Sequence, residues 1–97
     1  MRYEVRTTMA FRTWLKRLRD LDARTRVADR IRRVEAGNFG DHKFLPGDLG
    51  ELRVNAGPGY RVYFTIRGSV VFIALVGGDK STQQRDIERA RQMIKDL

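Results

Sequence analysis

The chain has no cysteine, a single histidine, two prolines and one tryptophan among 97 residues. Without cysteine there is no disulfide and no thiolate metal site. One histidine, His42, excludes a histidine-rich metal centre, so the expectation is no metal and no cofactor. No apolar run approaches the length that crosses a bilayer. The N-terminal Met-Arg-Tyr-Glu-Val carries charge at Arg2 and Glu4, unlike a secretory signal. Acidic residues are also few: 12 stand against 20 basic ones, a net charge of +8. The chain reads as one cytoplasmic domain over residues 1–97 with no membrane partner expected. From charge alone the basic surplus fits nucleic acid, an acidic protein, an anionic membrane surface or, equally, a soluble basic surface.

Arginine dominates what is present, with 16 of the 20 basic residues. Its planar guanidinium suits bidentate recognition of phosphate or carboxylate. The stretch around which the rest is arranged is Glu51–Phe64, ELRVNAGPGYRVYF, read as two strands joined at Gly57-Pro58-Gly59. A three-residue loop would put Ala56 opposite Tyr60, Asn55 opposite Arg61, Val54 opposite Val62 and Arg53 opposite Tyr63. Period-two alternation then places Leu52, Val54, Ala56, Tyr60, Val62, Phe64 and Ile66 on a core face. Arg53, Asn55, Arg61 and Tyr63 fall on the other face. Two arginines, an amide and a phenol on one sheet face suit the holding of a phosphate.

Residues 2–6 alternate as a first strand. Thr7 and Thr8 offer N-cap hydroxyls, and Phe11, Trp14, Leu15, Leu18 and Leu21 give a helix over 9–20. Asp22 is placed to cap a second helix with the stripe Ala23, Val27, Ile31 and Val34, stopped at Gly37. Its arginines read as a solvated face. Residues 38–50 read as a loop punctuated by glycines and Pro46. Residues 70–76 form an apolar strand ended by Gly77-Gly78, and Ser81 with Gln84 fits a capping box before a last helix. The order is β-α-α-β-β-β-α. It implies an α+β fold: a largely antiparallel four-stranded sheet, an N-terminal helical hairpin and a C-terminal helix, with helices mainly on one face and the other left open.

The runs GELRVNAGPGYRVYF and GGDKSTQQRDIERA, with the Gly40-Asp41-x-Lys43 loop, resemble the RelE/ParE superfamily of type II toxin–antitoxin toxins, and more narrowly the HigB-like "addiction module killer protein" branch. The resemblance spans nearly the whole chain. It implies a RelE-like, microbial ribonuclease-like fold without metal or cofactor. It implies a toxin that cuts mRNA, often on the ribosome, and arrests translation and growth. It also implies a cognate antitoxin with a helix-turn-helix domain, through which alone operator DNA would be met. The alternative from the same superfamily is a ParE-like, non-catalytic inhibitor of DNA gyrase.

Metal-free RNA cleavage uses the substrate 2′-OH as nucleophile and needs preorganised cations at the phosphate. The resemblance assigns that role to Arg61; Arg53, diagonal to it on the same face, reads equally as a second phosphate clamp or as a surface ion-pair partner. The competing reading of Arg61 is an ion pair with a carboxylate such as Glu51. Tyr63 could stack on a base or donate a proton, and Lys80 could deliver charge or transfer a proton. Lys43 and Asn55 would contact phosphate. His42 reads as incidental. Related branches place a tyrosine or histidine near the C-terminal end of the fold; this chain has neither there. Proton transfer then falls to Lys80 and Lys43, or catalysis leans on arginine electrostatics.

Overall fold

The structure, a computed structural model, describes residues 2–97, apart from the side chains of residues 72–75. Its elements run β1 (Glu4–Arg6), α1 (Met9–Arg17), α2 (Leu21–Glu35), β2 (His42–Leu45), β3 (Leu49–Val54), β4 (Tyr60–Arg67), β5 (Val70–Asp79) and α3 (Gln83–Lys95). A single turn of 3-10 helix, Lys80–Thr82, joins the last two. The α+β class and the strand–helix order hold. The sheet has five strands rather than four, in the order β1-β5-β4-β3-β2. It is mixed, because β1 pairs in parallel with the start of β5.

The extra strand lies in the stretch read as a loop. His42–Leu45 pairs antiparallel with β3, Lys43 opposite Glu51 and Phe44 opposite Gly50. The glycines that suggested a loop have other uses. Gly50 sits inside β3, where an added Cβ would stand 2.3 Å from the Phe64 ring. It is bare so that an aromatic side chain can lie on the strand.

Local chemistry fixes the helices. Thr8 Oγ1 accepts from the Phe11 amide at 3.1 Å and starts α1. Asp20, not Asp22, caps α2, accepting from the amides of Asp22 and Ala23. Leu21 therefore opens α2, exposed, and is not part of the α1 stripe. Gly37 ends α2 at φ 91°. Its N–H reaches the Val34 carbonyl and that of Asn38 reaches Arg33, a Schellman closure that needs the left-handed conformation.

The hairpin forms with its register moved by two residues. Val54 pairs with Tyr60, Arg53 with Arg61, Leu52 with Val62 and Glu51 with Tyr63. Residues 55–59 thus all belong to the connection. A shift of two leaves every side chain on its assigned face, because the strand period is two. It changes neighbours, however, and sets the two arginines directly opposite one another.

Both faces of the sheet are covered. Leu52, Val54, Val62 and Phe64 pack against Phe11, Ala23, Val27 and Val34 of the helical hairpin. On the other face Leu49, Tyr63 and Val76 pack under Ala90 of α3, flanked by Ile87 and Ile94. The face read as open is therefore half roofed. The apolar stripe of α3 needed apolar partners, and burying a Leu- or Val-sized side chain is worth about 1.5–3 kcal/mol.

The glycine pair permits that close layering. β5 continues through Gly77 and Gly78 to Asp79 instead of ending before them. A Cβ on Gly77 would stand 2.4 Å from the Trp14 ring of α1, and one on Gly78 would stand 2.0 Å from Asp86 Oδ2 of α3. The two helices press on neighbouring residues of one strand. Val71 and Val76 are buried in the clusters on the two opposite faces of the sheet; the side chains between them at 72–75 lie outside the described residues.

Candidate nucleic-acid interface

The α3 face carries two polar rows. One runs Lys43, Glu51, Tyr63 across β2, β3 and β4, and the next runs Arg53, Arg61, Gly78 across β3, β4 and β5. At their centre is Glu51, only 1% exposed. Its Oε1 accepts from Arg53 Nε at 3.2 Å and lies 3.5 Å from Arg61 Nε. Its Oε2 accepts from the Gln83 side-chain amide of α3 at 3.1 Å. Sequence reasoning had met Glu51 only as a competing partner for Arg61. The ion pair exists, and it has two arginines rather than one.

The pairing orients the guanidiniums. Glu51 accepts a hydrogen bond from Arg53 Nε and pairs electrostatically with Arg61 Nε, which is buried without a hydrogen-bond partner among the described residues; the terminal Nη groups of both make no hydrogen bond to the described residues. The Arg53 side chain is 41% exposed and that of Arg61 18%. Like charges directly opposite on a sheet repel. One carboxylate cannot neutralise two guanidiniums, and Lys43 stands opposite Glu51 on the same face. The cluster carries surplus positive charge beside a low-dielectric layer, where an anion is held more strongly than in water.

Arg53, Asn55 and Arg61 line one hollow of about 240 Å³ with Asp41, Gly59 and Tyr60. The shorter hairpin had paired Asn55 with Arg61; it instead reaches the hollow from the connection. Asp41, passed over in the sequence except as part of a loop motif, brings a carboxylate there. Arg30 holds that loop in place by donating to the carbonyls of Phe39, Asp41 and Arg53. Burial pulls its guanidinium below the ordinary value, while Asp41 pulls the other way. So one arginine of α2 is a structural clasp. Arg26, Arg32 and Arg33 are surface ion-pair partners of Asp22 and Asp29.

Tyr63 does not face solvent. It is fully buried under α3, and its hydroxyl has no hydrogen-bond partner among the described residues. Burial, and then the neighbouring Glu51 carboxylate, push the phenol above the ordinary tyrosine range, with Arg61 opposing. A ring so placed cannot stack on a base while α3 is docked. The sequence could not show this, because the strand alternation was right and only the roof was missed.

Lys80 is exposed at the end of β5 beside Pro58, without an ion pair or hydrogen bond to the cluster among the described residues. The turn after it is fastened by Asp79, whose carboxylate accepts from the Ser81 amide at 2.8 Å and from its hydroxyl. Those bonds hold the Asp79 carboxyl below its usual range. The Ser81–Gln84 capping box does not form: α3 starts at Gln83 after Thr82, and Thr82 makes no capping bond. The Thr82 hydroxyl instead donates to buried Asp86. His42 lies on the other face, its Nδ1 2.8 Å from the Gly40 carbonyl and its ring against Phe39 and Phe44.

Comparison with known proteins adds two findings. A Haemophilus influenzae protein of unassigned function is 42% identical over 97 residues, covering 100% of this chain and 98% of its own length. Among solved structures, an arginine-substituted mutant of the E. coli toxin RelE in the free state superposes with a TM-score of 0.71. It covers 95% of this chain and 98% of that one at 17% identity, a likeness of fold. No family model matches. No helix among the described residues is long and apolar enough to cross a membrane.

Proposed function

The chain belongs to one family with that Haemophilus influenzae protein and has the RelE fold, and from this premise we propose that it is the toxin of a type II toxin–antitoxin module, a metal-independent endoribonuclease acting on mRNA. The observation that carries the reading is the Glu51 cluster: two opposed arginines, held through Nε by one buried carboxylate, beside a hollow. In the reaction the RNA 2′-OH attacks the adjacent phosphorus, the bond to the 5′-oxygen breaks, and a 2′,3′-cyclic phosphate remains on the upstream piece. Arg61 and Arg53 donate through their Nη groups to the phosphate oxygens, where negative charge grows. Such preorganised donors contribute most when the site need not rearrange. Asn55 orients the phosphate, and Lys43 extends the positive field along the strand. Asp41 is the carboxylate lining the hollow and takes the 2′-OH proton. Lys80, exposed at the end of β5, supplies the proton for the leaving oxygen. Tyr63 acts from beneath, as packing.

The protein partner is an antitoxin carrying a helix-turn-helix domain, and the ribosome presents the mRNA; the setting is cytoplasmic and the functional unit is the one domain. The test is incubation of purified protein with a defined mRNA, naked and ribosome-bound, in excess chelator. Cyclic-phosphate products support the proposal. Intact RNA in both forms, together with inhibition of DNA gyrase, would replace it with the ParE-like reading.

A further inference from the structure

A second concave surface lies on the far side of α3 from the hollow. It is a cleft of about 620 Å³ between α1 and α3, floored by the end of β5 at Gly77 and Gly78. Strand β1 pairs only with residues 70–72 of β5, so no strand flanks β5 here and α1 stands in its place. Met9, 74% exposed, is on the rim, and the half-buried Trp14 gives the cleft an apolar wall. Arg17, Arg85 and Arg89 surround it. None of the three makes an ion pair or a hydrogen bond among the described residues, whereas Arg26, Arg32 and Arg33 on α2 all have carboxylate partners. The acids of the cleft are already engaged, Asp79 with Ser81 and buried Asp86 with Thr82.

We infer that this cleft docks an acidic, amphipathic segment of a partner protein, its apolar side on Met9 and Trp14 and its carboxylates on Arg17, Arg85 and Arg89. The shape is that of a helix-in-groove site. An exposed methionine beside a tryptophan wall asks for apolar side chains that a polynucleotide backbone lacks, and the cations ask for carboxylates. The inference rests on the proposed function only in naming the antitoxin as the natural source of the segment; the cleft's chemistry is independent of RNA cleavage.

The sole tryptophan of the chain, Trp14, reports on occupancy. The probe is a synthetic peptide of about four helical turns, some 22 Å long, with glutamates on one side and leucines on the other, titrated to millimolar concentration. Binding should shift Trp14 emission and the amide resonances of α1 and α3. Affinity should fall with salt, and by at least about tenfold, or ~1.4 kcal/mol, in the Arg85→Glu/Arg89→Glu double variant. A peptide with lysine for glutamate should prefer the double variant. Should the double variant fail to fold, Met9→Ser on the rim carries the same test through lost apolar contact. A silent Trp14 at millimolar peptide, or equal affinity after charge reversal, overturns the inference. So does a single-stranded RNA oligonucleotide that moves Trp14 more tightly than the peptide, which would make the cleft a nucleic-acid surface. Because the readout is emission and not cleavage, failure here and failure of the nuclease reading are separate results.

Discussion

Replacing Glu51 by glutamine removes one negative charge and keeps the shape. In the wild type this carboxylate, 1% exposed, meets Arg53, Arg61 and the Gln83 amide at 3.2, 3.5 and 3.1 Å. Breaking a fully buried pair costs about 3–5 kcal/mol. Arg53 is 41% exposed and its share is screened by water, so the carboxylate as a whole should be worth roughly 2–4 kcal/mol. Glutamine keeps an oxygen to accept from one Nε, which leaves a loss of roughly 1–2 kcal/mol. For a domain of this size that is a fall in Tm of about 5–15 °C. Glu51→Ala, which also opens a gap, should cost more. The assay is thermal unfolding by circular dichroism across a range of salt. A cycle with Arg61→Ala should show a coupling of about 0.5–3 kcal/mol. A Glu51→Gln protein melting within about 2 °C of wild type, with no coupling to Arg61, would mean the carboxylate does not organise the arginines, and the geometric argument would fail.

Tyr63→Phe removes a buried hydroxyl that has no hydrogen-bond partner among the described residues, so stability should hold or rise by up to about 1 kcal/mol and cleavage should stay near wild type; a large loss of activity at unchanged Tm would give the phenol a chemical role. Tyr63 is neutral when buried and its pKa is raised in the fold. Its contribution to stability is therefore complete below the unfolded pKa of about 10 and is lost as pH rises above it; alkaline melts of wild type should steepen there and those of Tyr63→Phe should not. Gly78→Ala forces a methyl into Asp86 and should cost about 1–3 kcal/mol, read by denaturant unfolding; a neutral effect would contradict the close seating of α3. Asp79 has a lowered pKa in the fold, so its stabilisation is complete above the unfolded value of about 3.9 and disappears as pH falls through the folded one. Asp79→Ala should therefore melt below wild type at neutral pH by about 0.5–2 kcal/mol, with the gap narrowing in acid; a gap unchanged in acid rules out the Ser81 bonds as its cause.

The helices were legible because capping and periodicity are local: Thr8, Gly37 and the Val27–Val34 stripe announced themselves. Face assignment along 51–66 survived a wrong register because a slip of two preserves alternation. Three features were hidden because they depend on distant groups. The strand at His42–Leu45 needs β3 to pair with, and its glycines argued against it. The five-residue connection of the hairpin could not be read from Gly57-Pro58-Gly59 alone, because register is settled by pairing along the whole of β3 and β4. The roof over Tyr63 follows from α3 folding back through the turn fastened by Asp79. That roof also changes the expected cost of Arg61→Ala. Read as a solvated residue, Arg61 should matter to folding by no more than about 0.5 kcal/mol. With its side chain 18% exposed and its Nε beside Glu51, the loss should be about 1–2 kcal/mol, softened because Arg53 remains as partner.

The central claim is that Arg61, oriented by Glu51, stabilises charge on a phosphodiester, and single-turnover cleavage of a defined RNA in excess chelator tests it most directly. Wild type, Arg61→Lys and Arg61→Ala are compared at a temperature well below the lowest of their melting points. The account predicts that Arg61→Ala slows the cleavage step by about 10²–10³, and that Arg61→Lys, which keeps the charge but loses the Nε contact to Glu51, recovers only part of it. Cleavage by folded Arg61→Ala at the wild-type rate would contradict it, and would leave the Arg53–Glu51–Arg61 cluster as a purely structural ion pair.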